Sequence, residues 1–218
     1  MKTTSVTRRP LTKSWSASLQ FFAKLQTAVA RIAYPEEDRL TRLEKVCGVD
    51  VAYGKGRYAA AAVVQDLGKL DNVETVVKVF TGRQTPYIPG FLVLREGPPL
   101  LEALAAVKTD FDLLLVDGHG RAHPRRCGLA TLVGFVAGFP TVGVAKSLLV
   151  GELVPKNDYC EIVDGGEVVG LCRGRNYFSQ GYGVSFNDLR KIFQLFHGDY
   201  PEVLRTADRM SKTAILKQ

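Results

Sequence analysis

The spacing of apolar residues changes character along this 218-residue chain. Over 16–32, Leu19, Phe22, Leu25 and Val29 recur at helical spacing, which predicts an amphipathic helix laid on a core. That period then vanishes. Three apolar runs at 46–53, 58–65 and 73–80 read as strands, and the turn-rich Asp66-Leu67-Gly68-Lys69 joins the second to the third as a meander. Further on, helical and strand patterns alternate: helix 97–107 through Leu100, Leu101, Leu104 and Val107, strand 112–117, helix 126–138 and strand 141–145. Asp164-Gly165-Gly166 between two short β-like runs signals a hairpin, and 187–196 and 201–216 are again helical. Antiparallel strands followed by alternating strand and helix predict an α/β fold, a mixed sheet covered by helices.

Two of these runs contain a carboxylate. Asp50 interrupts Val46-Cys47-Gly48-Val49-Asp50-Val51-Ala52-Tyr53, and Asp117 ends Phe111-Asp112-Leu113-Leu114-Leu115-Val116-Asp117. Glu96 stands near the start of the helical stretch after a proline-rich loop. A carboxylate in an apolar strand is costly unless something pairs with it, and a divalent cation does so. Oxygen ligands from separate elements suit Mg²⁺; the plainer alternative makes Asp50 and Asp117 strand-end turn residues. The loop itself, Pro86-Tyr87-Ile88-Pro89-Gly90-Phe91, has two prolines that stiffen it and extend the residues before them. It reads either as a rigid aromatic wedge for stacked bases or as a turn whose Tyr packs locally.

Composition narrows the picture less. A formal charge of +7 and a pI near 9.3 favour an anionic partner, whether nucleic acid or a membrane surface. The first acidic residue is Glu36, so the N-terminal stretch is basic and superficially like a transit peptide, but the helical spacing within it argues for a packed helix. Residues 1–13 are expected to be a loose basic tail and 14–218 a single domain. No signal-peptide pattern is present, and no apolar run reaches the roughly 20 residues of a membrane span. Cys47, Cys127, Cys160 and Cys172 lack paired short spacing and read as reduced core thiols of a cytoplasmic protein, not as a zinc site or disulfide framework.

Taken in order, Gly48-Val49-Asp50-Val51-Ala52-Tyr53, Pro86-Tyr87-Ile88-Pro89-Gly90-Phe91, Arg95-Glu96, Val116-Asp117-Gly118-His119-Gly120, His123-Pro124-Arg125, Gly128-Leu129-Ala130 and Gly143-Val144-Ala145-Lys146-Ser147 resemble the endonuclease V family. Each motif is weak alone; the ordered set is specific and covers roughly 15–215. The resemblance implies a ribonuclease H-like mixed β-sheet flanked by α-helices. It also implies a metal-dependent nuclease of DNA repair that acts at deaminated adenine (hypoxanthine) and hydrolyses the second phosphodiester bond 3′ to the lesion, leaving a 5′-phosphate. Mg²⁺, or Mn²⁺ in its place, is the implied cofactor, DNA containing deoxyinosine the implied partner, and a monomer the implied state.

Residue by residue, the resemblance makes Asp50 the bridging metal ligand, completed by Asp117 and Glu96. It brings Asp208, in Arg205-Thr206-Ala207-Asp208, to a second metal, although an Asp on a charged terminal helix is usually just solvated. Two metals about 4 Å apart activate water and neutralise the leaving oxygen. Lys146 is implied to reach the scissile phosphate, the alternative being a surface lysine at a strand end. Pro86, Tyr87, Ile88 and Pro89 form the implied DNA wedge. Gly90, Leu92, Gly118, His123, Gly128 and Leu129 map to a pocket for the flipped base, where backbone donors facing O6 and N7 would tell hypoxanthine from adenine.

One segment departs from the family pattern: Ser185-Phe186-Asn187-Asp188 stands where many members read Ser-Pro-Gly-His, so no role is carried over to it. Two other readings stay open. One is a different ribonuclease H-like nuclease, acting on inosine-containing RNA or on structured DNA; the other is a non-catalytic nucleic-acid-binding module. The proline-flanked Tyr87 speaks against the other nucleases, and carboxylates facing a polyanion speak against the module.

Overall fold

The computed structural model describes residues 13–216. Apart from Lys13, which already belongs to the first helix, the expected tail lies outside the described residues. Helix α1 spans Lys13–Ala30 and leads into the strands β1 (Lys45–Tyr53), β2 (Arg57–Asp66) and β3 (Asn72–Thr81). Helix α2 (Val93–Leu104), β4 (Leu113–Asp117), α3 (Leu129–Ala137) and β5 (Thr141–Ala145) alternate after them. The strands β6 (Glu152–Pro155), β7 (Cys160–Asp164), β8 (Glu167–Arg173) and β9 (Asn176–Gln180) follow, then α4 (Phe186–Leu195) and α5 (Glu202–Leu216).

All the strands join one nine-stranded sheet in the order β3-β2-β1-β4-β5-β9-β8-β7-β6. β1, β4 and β5 run parallel at its centre, and the strand pairs outside them are antiparallel. Alternation along the central strands sorts their side chains onto two layers. Val46, Leu113, Leu115 and Val144 pack with Leu189, Val203, Leu204 and Ala207 of α4 and α5. Cys47, Val49, Leu114 and Val116 pack with Leu100, Leu104, Leu129 and Val133 of α2 and α3. Strands covered on both faces need unbroken apolar runs, and this is why the runs around Asp50 and Asp117 are so hydrophobic. Gly48 lets α5 lie close on β1: a Cβ there would stand 2.9 Å from the backbone carbon of Val203.

Several elements differ from expectation. Helix α2 starts at Val93, not 97, and runs through Pro98 and Pro99. Its first turn is held by the short-range bonds Leu94 N to Phe91 O at 3.0 Å and Arg95 N to Leu92 O at 2.9 Å, so Glu96 lies inside that turn. Leu25 is exposed; the buried stripe of α1 passes through Gln26 to Val29. β6 and β9 have no apolar alternation strong enough to betray them: β6 is exposed throughout, and β9 ends on Ser179 and Gln180.

The thiol expectation fails for one pair. Cys160 and Cys172 form a disulfide across β7 and β8, with Cα atoms 4.9 Å apart, while Cys47 and Cys127 are free and buried. A plain hairpin closing on Asp164 and Glu167 would set Cys160 against Leu171. The bulge at Ile162/Val163 shifts the register by one and brings Cys172 opposite. Among the described residues no helix is long and apolar enough to cross a membrane.

Candidate active site

Asp50 and Asp117 come from neighbouring parallel strands. Val49 of β1 pairs with Val116 of β4, so the next residue of each strand is a carboxylate. Both share the face of Val46, Leu113 and Leu115, beneath α5. Asp208 comes down from α5, Lys146 follows directly after β5, and Glu96 enters from α2 on the opposite layer. The C-terminal ends of β1, β4 and β5 thus open into a crevice, the usual site position in α/β sheets. All five of these side chains line one cavity of about 440 Å³.

The crevice is electrostatically tense. Burial, reinforced by the charges of Asp117 and Asp208, pushes Asp50 up to about 8. Burial and the Asp117 charge push Glu96 up to about 7. Asp117 and Asp208 hold cations instead. Lys146 Nζ is 2.6 Å from Asp117 Oδ2, and Lys212 Nζ is 2.8 Å from Asp208 Oδ1. Burial works against the Asp208 charge, but its hydrogen bonds with Lys212 and Asp50 hold it below the usual carboxylate range. Tyr200, whose ring lies 4.6 Å from Lys146 Nζ, is pushed up by burial and by Asp117 and Asp50. Its hydroxyl is buried and faces the Asp117 carboxylate.

Among the described residues no three His, Cys, Asp or Glu side chains are placed to hold a metal ion together. The donor set still fits a hard divalent cation. It is all carboxylate oxygen, and Asp50 and Glu96, both half-buried, are destabilised by like charge, which a cation relieves. Mg²⁺ binds through one or two carboxylates and keeps waters, so it needs no full protein cage. One or two of Asp50, Asp117, Glu96 and Asp208 could hold it in this way.

The remaining wall of the cavity is less charged. Gly90, Leu92, Gly118, His123 and Leu129 line it. Gly128 does not: a Cβ there would lie 2.2 Å from His119 O, so its glycine serves the close approach that starts α3. Burial pushes His123 and His119 down to about 4, which leaves both imidazoles neutral near pH 7. His123 Nδ1 accepts from Arg125 N at 3.2 Å, so its Nε2 carries the proton. Tyr87 stands at the mouth, 57% exposed. Pro86 and Pro89 are exposed and Ile88 half-buried, and none of the three lines the cavity; they stiffen the loop that presents Tyr87.

Gln26 was missed by sequence reasoning. Although 1% exposed, it lines the cavity and has every amide group engaged. It donates to Cys127 O at 2.7 Å and Gly90 O at 3.3 Å, and accepts from Arg125 Nε at 2.7 Å. Arg125 also donates to Gly90 O and stacks over Phe91, 4.3 Å from its centroid. The loop of Tyr87, α1 and the loop of His123 are thereby clasped together. Gly90 has φ +77°, and a Cβ there would meet Arg125 at 2.8 Å, so the clasp requires glycine. A polar residue within the apolar stripe of α1 was the available signal.

The departing segment has a structural explanation. Ser185 and Asp188 form a capping box for α4, with Ser185 Oγ accepting from Asp188 N at 2.9 Å and donating to Asp38 at 2.6 Å.

The endonuclease V family model matches residues 24–209. Endonuclease V of Saccharolobus islandicus is 39% identical over 195 residues, covering 89% of this chain and 94% of that protein. The crystal structure of endonuclease V from Streptomyces avermitilis superposes with a TM-score of 0.79 at 30% identity, covering 94% of each chain. Endonuclease V of Ciona intestinalis, solved with a 24-mer DNA containing an inosine followed by a ribo-adenosine, shares the fold at 24% identity, with a TM-score of 0.79 and coverage of 91% of this chain and 98% of that one. By sequence and fold, this chain belongs to the endonuclease V family.

Proposed function

We propose that the protein is a deoxyribonuclease of the endonuclease V type. It recognises hypoxanthine in DNA and hydrolyses the second phosphodiester bond on its 3′ side, with a 5′-phosphate on the downstream fragment. One observation carries the reading: the carboxylates and the wall of Gly90, Gly118, His123 and Leu129 belong to a single cavity with Tyr87 at its mouth. A base turned into that wall leaves its own strand lying across the carboxylates.

Carboxylates among Asp50, Asp117, Glu96 and Asp208 would hold Mg²⁺, which supplies Lewis acidity toward the phosphate and a lowered pKa for water. Lys146 holds its ammonium beside Asp117, where it can stabilise charge developing on the scissile phosphate. Neutral His123 shapes the wall beside Gly90, and the glycines allow close backbone approach to the purine edge. Tyr87 fills the space that the base vacates, and the clasp of Gln26 and Arg125 fixes its distance from the pocket.

The direct test is cleavage of matched inosine- and adenine-containing oligomers of DNA and RNA, with Mg²⁺ or with EDTA, mapping the cut. Inosine-directed cutting of DNA that needs Mg²⁺ is expected; equal cutting of the adenine control, or full activity in EDTA, sinks the proposal. Tyr87→Ala should weaken binding at inosine sites by about 1–3 kcal/mol, the loss expected for a stacked aromatic. Single-turnover rates at saturating enzyme should recover most of its activity. An unchanged preference for inosine would make the loop merely structural.

A further inference from the structure

Beside the catalytic crevice lies a second cavity, also of about 440 Å³, lined by Lys146, Arg175, Asn176, Tyr200, Arg205 and Asp208. Two of these, Lys146 and Asp208, also line the crevice, so the cavities adjoin; no residue of the base-pocket wall lines this one. Their charges are opposite in character. The crevice sets Asp50, Glu96, Asp117 and Asp208 against Lys146. The groove sets Lys146, Arg175 and Arg205 against Asp208.

We propose that this groove binds the phosphodiester backbone of the cleaved strand on the 3′ side of the cut. The inference rests on the function proposed above, which fixes direction. The base occupies the wall of Gly90, Gly118 and His123, and the cut lies 3′ of that base at the carboxylates. A strand continuing past Lys146 and Asp208 therefore enters the groove with its 3′ portion.

The side chains suit a polyanion. Arg175 sits exposed in the two-residue turn between β8 and β9, whose flanking pair is Arg173 and Asn176. It makes no ion pair among the described residues. Arg205 is more than half exposed, and its ion pair with Glu202, at 3.6 Å on the same helix, is a surface contact easily exchanged for phosphate. The Asn176 amide donates to Gly198 O at 3.1 Å, which leaves its second N–H available. Such contacts fix register and carry no sequence information. They hold the strand taut between pocket and groove, with the scissile phosphate at the carboxylates, and they retain the downstream product by its phosphates.

The test compares the parent with Arg175→Ala, Arg205→Ala and their double variant, and with Lys78→Ala on the exposed outer strand β3 as a control. Inosine-containing single strands are extended nucleotide by nucleotide, either 3′ of the cut or 5′ of the lesion. Parental affinity should rise with each of the first few 3′ nucleotides. The double variant should lose most of that rise, about tenfold or more on long strands. Its log–log salt slope should be shallower by about 0.7 for each phosphate it no longer neutralises. Lys78→Ala should follow the parent. A double variant that keeps the parental dependence on 3′ length, or loses as much on 5′ extension, overturns the proposal. Salt slopes are also read on strands without inosine, so the groove is tested even if the parent fails to cut at inosine, a result that would instead sink the function proposed above.

Discussion

Asp50→Asn should abolish cleavage and stabilise the metal-free protein, and both effects come from one cause. Asp50 sits mid-strand in a buried setting beside Asp117 and Asp208, and its carboxyl is pushed up to about 8 from an ordinary value near 4. The folded state therefore holds this proton more tightly than the unfolded chain. Between about pH 4 and 8 the unfolded state binds fewer protons, so stability falls as pH rises through that window. Glu96, pushed up to about 7, contributes with the same sign. Asparagine has no proton to lose. In EDTA, the variant should match the parent near pH 4, gain on it up to about pH 8, and hold a constant lead above. One pKa unit is about 1.4 kcal/mol; after discounting for solvent at the crevice and for coupling among the carboxylates, a lead of about 1–3 kcal/mol is expected. For a domain of this size that is about 2–10 °C in melting temperature. Mg²⁺ should narrow the gap by stabilising the parent and not the variant. A variant that cuts at the parental rate, or whose melting curve tracks the parent at every pH, would remove Asp50 from the centre of the site.

What the sequence made legible follows the range of the interactions involved. Asp50 and Asp117 stand out because a lone carboxylate breaks an otherwise continuous apolar run, and such runs exist where a strand is covered on both faces. Glu96 and Tyr87 stand out because prolines punctuate the chain around them. Gln26 and Arg125 act through partners far along the chain: Gln26 bonds to Cys127 O across 101 positions, and only its polarity within the apolar stripe of α1 hints at that. The disulfide was hidden by a single bulge, since a hairpin without it would have paired Cys160 with Leu171. β6 and β9 were invisible for a simpler reason, in that neither presents an apolar alternation to read. Gly128 shows the opposite error. Its place beside Leu129 suggested the pocket, but its missing side chain answers to the His119 backbone.

Discrimination should depend on Gly118 and hardly at all on salt. Gly118 follows Asp117 and lines the cavity between the carboxylates and the wall of His123 and Leu129. A Cβ there would lie 3.1 Å from the Leu129 side chain, and φ is +157°, so an added side chain strains the backbone and crowds Leu129 and the wall beside it. Gly118→Val is accordingly expected to cut the preference for inosine over adenine by about 10–200-fold, the 1–3 kcal/mol by which a pocket senses small changes of shape. Raising salt acts differently. Lys and Arg contacts to phosphate are blind to the base and weaken steeply with salt, so affinity for inosine-containing and ordinary DNA should fall together. The ratio between them, set by hydrogen bonds inside the pocket, should hold. Measuring that ratio for parent and variant at low and high salt separates the two contributions, with near-ultraviolet circular dichroism to show that the variant is folded. If folded Gly118→Val discriminates as the parent does, the base is read elsewhere and the wall of Gly118, His123 and Leu129 has another purpose.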